Sequence, residues 1–543
     1  MDSMTSVGVP VVAVFAALAL ALVFICVNLP WNDSNPPKIE GTIPLLSNSY
    51  QFMTDKKGFL ERIKNALNKH ELVTINLGGK VFYMTTKPEN VQAMFRSQQE
   101  MTSDVFILGV MEHIWGMSKE ELQMFRADKS GRSKTPLPGT ENTPDAQRVW
   151  AGHHHVYAEY LSRTKPVLYL ATAFSEKLMN MLCAKYHPGE WHTVRLNRLF
   201  RRDIGELALT TFIGTRIMEL QPGFMDCVSE FETIAHNLVW GLPKWMNPYP
   251  WKVRKRFHAM TASYLESAWE TFDWDGPDAD SDWEPNFGSR VSRELAKWMK
   301  TTLKPETAAG LMAAFVIGID ANAMAIALWA FMEVVKAPSL FQALKDEVAD
   351  AFVADVKTGT KSLNIRSLVS LPLLQSVYTE ALRMHVSVII TREVHQPTVI
   401  SRYRISNGSV IQAPSSVSHY DEKVWGTDEH GASEFWGQRH LKYSESKDAS
   451  GGIHQQPTFS MAGRSRSYYP YGGGVSMCPG RHFAKYEIMI ILAVLTTNFE
   501  VDFVRWTNAD GTTSDRPAEN DSRFFGVVAM PPDRDMEVRW RRV

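Results

Sequence analysis

Cysteine is scarce in this sequence, which has only Cys26, Cys183, Cys227 and Cys478 among its 543 residues. No two of them form a Cys-x-x-Cys pair, which argues against a disulfide framework and a zinc site. Basic residues are not in excess either, because the 58 Lys and Arg residues are balanced by 59 Asp and Glu residues. This balance gives no support to nucleic-acid binding. No Gly-x-Gly-x-x-Gly follows a predicted strand, so no dinucleotide-binding module is expected.

One long hydrophobic run is present, at the N-terminus. Residues 7–27 carry no charge and are numerous enough to cross a bilayer as one helix. A secretory signal is the alternative, but its apolar core would be shorter and would end at an Ala-x-Ala-like site. The run therefore favours an uncleaved membrane anchor at residues 1–30. A proline-containing linker at 31–48 and a catalytic domain at 49–543 are expected to follow.

The rest of the chain has mainly helical patterns. Two strands are expected on either side of Gly78 and Gly79, with a helix starting near Pro88. From about residue 147 to residue 390 helices predominate, and short strand signals return at 392–415 and at the C-terminus. The sequence therefore predicts a mainly α fold with small β-sheets.

The segment YYPYGGGVSMCPGRHFAKYE, residues 468–487, combines a lone cysteine with three glycines and a following helix. A helix that begins just after Cys478 lowers the pKa of the thiol through its dipole. The glycines let a flat ligand approach the backbone closely. These features suit a thiolate that binds haem iron. A buried cysteine in a glycine-rich turn is the alternative, which the physics of the loop alone leaves open.

The spacing in this loop resembles the haem-binding loop of the cytochrome P450 superfamily. That family has an aromatic residue seven positions before the cysteine, a glycine four before it and a glycine two after it. Tyr471, Gly474 and Gly480 occupy these positions. The resemblance implies that Cys478 is the axial ligand of haem b. It also implies a cofactor-binding loop formed by Tyr471, Gly472, Gly474, Cys478, Pro479 and Gly480.

Two features usual in the family are missing. Ser476 stands where a basic residue commonly pairs with a haem propionate. The family's Trp-x-x-x-Arg contact to a propionate is also absent, and the candidates to replace it are Arg148 and one of His153, His154 and His155.

Glu380 and Arg383, in the segment TEALRMH, are three residues apart and therefore share a helix face. By themselves they read as an ordinary surface pair. They also resemble the Glu-x-x-Arg helix of the family, and Arg439 resembles the arginine that completes its buried network. The resemblance implies a structural network of Glu380, Arg383 and Arg439, and a propionate contact from Arg392.

A long apolar segment, residues 304–336, predicts a helix of about 45 Å. Asp320 and Asn322 are polar groups in its middle, and buried polar groups need partners. Neither serine nor threonine occurs between residues 308 and 338. A plain core helix explains the apolar content equally well, but it explains the two polar residues less well.

In most family members an acid and a threonine at this place relay protons for oxygen chemistry. In one register Asp320 is the acid and Ala321 replaces the threonine. In the other register Ala321 replaces the acid and Asn322 replaces the threonine. The second register, with Trp329 seven residues on, resembles the group containing the cholesterol 7α-hydroxylases and prostacyclin synthase. Asp320, Ala321 and Asn322, with Cys478, are therefore the candidate catalytic residues.

The resemblance implies a fungal-type monooxygenase that inserts one oxygen atom from O2 into a lipophilic terpenoid, steroid or alkaloid-like substrate. Such an enzyme serves secondary-metabolite biosynthesis and takes NADPH electrons from a separate cytochrome P450 reductase, with cytochrome b5 as a second candidate donor. The anchor implies a single-pass protein in contact with the lipid of the endoplasmic reticulum membrane and a cytosolic catalytic domain. Two alternatives remain. One is a haem-thiolate isomerase or dehydratase that rearranges a peroxide or activated intermediate without a reductase, and the other is a haem protein that binds a lipid or gas without turnover.

Overall fold

The computed structural model describes residues 35–40, 47–77, 80–97, 100–239, 243–354, 361–447 and 453–543. The apolar run at 7–27, expected to be the anchor, lies outside the described residues. The chain divides into two compact units. The first holds residues up to Val105 together with Ile389–Ser418, and the second holds Phe106–Val388 together with His419–Val543.

Helices predominate, as the sequence predicts. In chain order they are α1 (Ser47–Thr54), α2 (Lys56–Leu67), α3 (Pro88–Arg96), α4 (Asp104–His113), α5 (Lys119–Ala127), α6 (Val149–Leu161), α7 (Thr164–Lys185), α8 (Leu196–Arg198), α9 (Gly205–Ile213), α10 (Arg216–Leu220), α11 (Phe224–Val239), α12 (Pro248–Thr271), α13 (Arg290–Thr302), α14 (Pro305–Lys336), α15 (Pro338–Ala349), α16 (Ile365–Leu368), α17 (Pro372–His385), α18 (Ser415–Ser418), α19 (Glu422–Trp425) and α20 (Arg481–Asn498). A π-helix at Leu199–Ile204 connects α8 to α9.

The strands are short. They are β1 (Val73–Leu77), β2 (Lys80–Met84), β3 (Met101–Thr102), β4 (Trp191–Arg195), β5 (Trp283–Glu284), β6 (Gly288–Ser289), β7 (Phe352–Ala354), β8 (Lys361–Leu363), β9 (Ile389–Val394), β10 (Thr398–Ile400), β11 (Tyr403–Ile405), β12 (Val410–Pro414), β13 (Leu441–Lys447), β14 (Ile453–Phe459), β15 (Phe499–Thr507) and β16 (Asp535–Arg542). The largest sheet, in the first unit, has the order β1-β2-β12-β9-β3, and the second unit has a three-stranded sheet β15-β16-β4.

The two sheets follow from local sequence patterns. The expected strand pair is present as antiparallel β1 and β2, with Val73 opposite Met84. In α3, Pro88 occupies the first turn, where its fixed φ suits a helix and its missing N–H costs nothing. The expected C-terminal hairpin is also present, because β15 pairs antiparallel with β16. Along β16 the side chains of Met536, Val538 and Trp540 alternate onto the core face and are fully buried.

Helix α14 is the centre of the second unit, and it confirms the predicted long helix. It is apolar on almost all sides, as expected for a helix that lies mostly inside the protein. Of the described helices it is the one long and apolar enough to cross a membrane, although it lies mostly inside the protein. Its start is held by Glu121, which accepts hydrogen bonds from the Lys304 backbone N–H at 2.8 Å and the Thr307 hydroxyl at 2.7 Å.

The backbone of the residues before α5 comes very close to α14. A Cβ at Gly310 would lie 1.8 Å from the carbonyl oxygen of Trp115. Glycine is therefore the residue that permits this approach.

Candidate active site

One face of α14 is open although the rest of its central part is buried. Between residues 308 and 332 the accessible residues are Ala314, Ile317, Gly318, Ala321 and Asn322. Their spacing places all of them on one side of the helix. A Cβ at Gly318 would meet nothing within 4 Å. We call these five residues the open face of α14, since free space adjoins them.

Asp320 does not belong to this face. It is 2% exposed, and a Cβ at Gly205 on α9 would come 2.5 Å from its Oδ1. Glu232 of α11 is also buried and acts on Asp320 as a neighbouring charge. Arg201, in the π-helix, donates to Glu232 Oε2 at 2.6 Å. The structure thus places Ala321 and Asn322 on the open face but Asp320 in a buried cluster of two acids and one arginine.

We expect this cluster to make the free energy of unfolding decrease as the pH rises. Burial, followed by the charge of Glu232, raises the pKa of Asp320 well above its usual value, and burial also raises the pKa of Glu232. A raised carboxyl pKa means that the stability present at low pH is lost as the pH rises through the folded-state pKa. Asp320→Asn cannot ionise, so it is expected to flatten this decline. Its free energy of unfolding relative to wild type should increase with pH, as measured by urea unfolding across a pH series.

Glu206→Gln on α9 serves as the control, since it is an exposed acid in the helix that faces Asp320. This variant should keep the wild-type pH dependence. A constant offset between Asp320→Asn and wild type at every pH would contradict the expected ionisation.

Cys478 lies in a tight loop, three residues before α20 begins at Arg481. Gly472 and Gly474 have φ angles of 74° and 66°, which side chains rarely adopt. The Cys478 backbone N–H donates to the carbonyl oxygen of Tyr471 at 2.9 Å, which closes the loop. The two glycines therefore shape the backbone that presents Cys478.

The Cys478 side chain is accessible, whereas Cys227 is buried. The protein packed around the Cys478 sulfur raises the pKa of the thiol. The backbone N–H groups of Gly480 and Arg481 and the Arg481 charge act in the opposite direction. On balance the pKa of the thiol is raised, which is opposite to the lowering expected from the helix dipole, because burial outweighs the dipole and the charge. The N–H groups of Gly480 and Arg481 are nevertheless placed to stabilise a thiolate at this sulfur.

Tyr471 contributes more than an aromatic ring to the loop. Its hydroxyl forms a 2.9 Å hydrogen bond with the hydroxyl of Tyr378 on α17. No local sequence pattern indicates this pair, because the two tyrosines are 93 residues apart. The hydrogen bond joins the Cys478 loop to the helix that carries Glu380.

We expect a non-additive result when the two hydroxyls are removed. Tyr471→Phe or Tyr378→Phe leaves one buried hydroxyl without its partner, at a cost of about 1–3 kcal/mol in the free energy of unfolding. The double variant removes both groups and should cost less than the sum of the single changes. Chemical unfolding of the four proteins measures this, with Tyr443→Phe on the exposed part of β13 as the control. Additive losses would show that the two hydroxyls act independently.

The structure brings Glu380, Arg383 and Arg439 together, all with fully buried side chains. Arg383 donates to both carboxylate oxygens of Glu380 at 2.8 Å, and Arg439 Nε donates to Oε1 at 2.7 Å. His440 Nε2 lies 3.2 Å from Oε2 and adds a further partner to the carboxylate. The remaining donors of the two arginines reach the backbone carbonyls of His419, Trp425, Gly431, Ala432 and Glu434.

Gly437 precedes Arg439 by two residues, and close packing favours glycine there. A Cβ at Gly437 would lie 2.8 Å from Leu340 Cδ2 on α15.

The candidates for propionate contacts have different surroundings. Arg392 lies on β9 of the first unit, opposite Ile411 of β12, and is 6% exposed. Arg148 donates to Ser130 Oγ and to the carbonyls of Ser133 and Lys134 at 2.7–3.2 Å. These bonds commit its guanidinium to the loop before α6 and argue against Arg148 as a replacement contact.

His153 is packed among aromatic rings. Its ring centroid lies 5.0 Å from that of Tyr157 and 5.4 Å from that of Trp298. Burial lowers its pKa to about 3, so it is neutral and gives no positive charge to a propionate.

Comparison with known proteins agrees with this fold. Residues 196–515 match the family model described as Cytochrome P450. The chain is 45% identical to cytochrome P450 monooxygenase calL of Penicillium decumbens over 512 residues, which cover 94% of each protein. It is 26% identical to cytochrome P450 monooxygenase fsoE of Humicola fuscoatra over 94% of this chain and 88% of that protein. A weaker match, 25% over 39% of this chain and 41% of the relative, is a human 7-alpha-hydroxycholest-4-en-3-one 12-alpha-hydroxylase.

The chain belongs to the cytochrome P450 family, and it is a cytochrome P450 monooxygenase. Proteins of this family bind haem b through a cysteine thiolate and receive electrons from NADPH through a reductase. The residues present fit this cofactor, because the second unit contains both an accessible thiol in a glycine-shaped loop and a helix whose open face is apolar except for Asn322. When bound, the haem supplies the redox chemistry of dioxygen.

Proposed function

We propose that Cys478 is the thiolate ligand and that a lipophilic substrate is oxidised beside the open face of α14. The observation that supports this most directly is the open face itself. Protein interiors contain few voids larger than a water molecule. Five neighbouring uncovered positions on one side of an otherwise buried helix therefore indicate a cavity that binds a ligand. Four of the five residues carry no polar side-chain atom, which suits a flat cofactor and an apolar substrate.

The other site residues follow from this assignment. Tyr471, Gly472, Gly474, Pro479 and Gly480 form the loop that presents Cys478 to the cofactor. Arg392 neutralises a propionate, while Glu380, Arg383 and Arg439 hold the loops around the site. Asn322 offers a hydrogen-bond donor on the open face, beside Ala321. Asp320 lies on the buried side of α14, in its cluster with Glu232, and would influence the site from there without facing the substrate.

For the substrate, we propose a terpenoid, steroid or alkaloid-like skeleton that is oxidised in fungal secondary metabolism. The names of the fungal relatives support a monooxygenase, and the name of the human relative refers to hydroxylation of a steroid. The apolar open face agrees with a substrate of this kind.

We further propose that residues 7–27 anchor the protein in the endoplasmic reticulum membrane with a cytosolic catalytic domain. Trp245 and Met246 are 82% and 57% exposed, and Lys244 and Lys252 are near them in the sequence. Exposed apolar side chains beside cations suit contact with membrane lipid. A membrane-bound NADPH–cytochrome P450 reductase would then supply electrons, with cytochrome b5 as a second candidate.

The deciding experiment compares metabolites of the native host with those of a strain lacking this gene, under isotopically heavy dioxygen. The expected result is a parental product equal to the accumulated precursor plus one heavy oxygen atom. A strain that expresses Cys478→Ala should accumulate the same precursor. A product with the formula of its precursor, or one that differs by water without heavy oxygen, would instead identify an isomerase or dehydratase.

A further inference from the structure

Residues 526–530, with the sequence GVVAM, contact α14 at two points. The backbone N–H of Ala529 donates to Asn322 Oδ1 at 3.2 Å. The indole N–H of Trp329 donates to the carbonyl oxygen of Met530 at 2.9 Å. Asn322 and Trp329 are seven residues apart and therefore lie on the same side of the helix. Asn322 and Trp329, whose spacing resembles a particular P450 group, thus both bind this segment.

The other side of this segment is held by the residues at the end of α17. The Met530 N–H donates to the His385 carbonyl at 2.8 Å, and the Ser387 N–H donates to the Val528 carbonyl at 3.1 Å. The Trp329 ring stacks on His385, with centroids 4.1 Å apart and planes at 3°. The segment is therefore fixed between α14 and residues 385–387.

Among the described residues, Asn322 is the acceptor for the Ala529 N–H. A backbone N–H can only donate, so the amide oxygen of Asn322 must face Ala529. The Nδ2 group, with its two N–H donors, then faces away from the segment. Because Asn322 is part of the open face, its orientation on that face is determined by a backbone group 207 residues away.

We propose that Asn322 and Trp329 form a two-point clamp that holds residues 526–530 as a fixed wall of the oxidation site. This inference rests on the proposed function. Val527 and Val528 are the half-buried apolar side chains of the segment, whereas Ala529 and Met530 are buried. The clamp positions the two valines against a lipophilic substrate and so determines which carbon is oxidised. Asn322 and Trp329 are positioning residues in this role.

The first test is hydrogen exchange of the holoenzyme, followed at residues 526–530. Asn322→Leu removes the acceptor at similar volume, and Trp329→Phe removes the indole donor but keeps a ring against His385. Each variant is expected to speed amide exchange of Ala529 and Met530 by roughly fivefold, the effect of one typical hydrogen bond. Trp269→Phe is the matched control. It removes an indole bond to the Ala296 carbonyl elsewhere in the unit and should leave exchange of the segment unchanged.

A third variant distinguishes the acceptor oxygen of Asn322, which holds the segment, from its N–H donors on the open face. Asn322→Asp keeps an oxygen for the Ala529 N–H but has no N–H to offer on the open face. Exchange of the segment should therefore stay close to wild type in this variant. Fast exchange in Asn322→Asp would show that an acceptor oxygen alone does not hold the segment, which contradicts the clamp.

The second test is the ratio of products formed from the precursor of the deletion strain, with reductase present and haem content matched. Trp329→Phe is expected to change this ratio at least twofold, although its side chain is buried and the ring contact to His385 is kept. Unchanged exchange in either Asn322→Leu or Trp329→Phe would overturn the two-point clamp. Faster exchange with an unchanged product ratio would overturn its role in positioning. The exchange result does not depend on the reaction, so failure of the clamp and failure of the monooxygenase assignment remain distinguishable.

Discussion

Replacing Cys478 with alanine is expected to abolish the red-shifted absorption band that thiolate-ligated haem gives when reduced and exposed to carbon monoxide. The reason is that the proposed ligand sulfur disappears, and neither of the other described cysteines is placed to substitute for it. Cys227 is buried and accepts a hydrogen bond from Arg256 Nε at 3.4 Å, while Cys183 lies beside Arg542 on the surface. Activity with reductase should fall to background.

Cys183→Ala is the control for this experiment, because it also removes an accessible thiol but one that lies outside the Cys478 loop. Its absorption spectrum should be that of the wild type. A red-shifted band that survives in Cys478→Ala would show that another residue binds the iron. Loss of the band in both variants would point to a general effect of cysteine removal on folding.

Replacing Glu380 with glutamine is expected to destabilise the protein by about 3–5 kcal/mol, because two buried arginines lose their counter-charge. The guanidinium groups of Arg383 and Arg439 cannot release a proton to escape this penalty. We expect little soluble haem protein, and a lower midpoint of chemical unfolding for the fraction that is recovered. Arg539→Met breaks an exposed pair with Asp502 and, as the control, should cost less than about 1 kcal/mol.

The same network predicts the response to acid. Burial opposes ionisation of Glu380, but hydrogen bonds from Arg383 and His440 and the arginine charges hold its pKa well below the usual value. Its contribution to stability is therefore complete above the ordinary glutamate pKa and is lost as the pH falls. Unfolding midpoints across an acidic pH series should decline less steeply in Glu380→Gln than in wild type. A decline as steep as that of wild type would show that other groups control acid unfolding.

Much of the fold was predictable because it depends on local patterns. The strand pair β1–β2, the start of α3 at Pro88 and the length of α14 follow from alternation, proline and apolar composition. The Cys478 loop was predictable because its glycines and helix start are contiguous in the sequence. Burial of the Glu380 network was expected only from the family resemblance, since an i, i+3 pair by itself is uninformative.

The contacts that the sequence could not reveal are the long-range ones. Nothing local links Asp320 to Glu232, Tyr378 to Tyr471, or Asn322 to Ala529. The register of α14 was ambiguous for the same reason, because Asp320 and Asn322 are both polar and only packing shows which side each occupies. Once the open face is known, Asn322 and Ala321 lie on it and Asp320 does not.

The close approach of the Trp115 backbone to Gly310 has a consequence for laboratory evolution of this enzyme. Even an alanine methyl group at position 310 would overlap a carbonyl oxygen, so libraries that randomise the whole of α14 would consist largely of misfolded members. Ala314, Ile317 and Gly318 are four to eight residues further along and adjoin free space. Diversification confined to these three positions would retain most clones as folded enzymes, and selection for new substrates could then act on the reaction instead of on foldability.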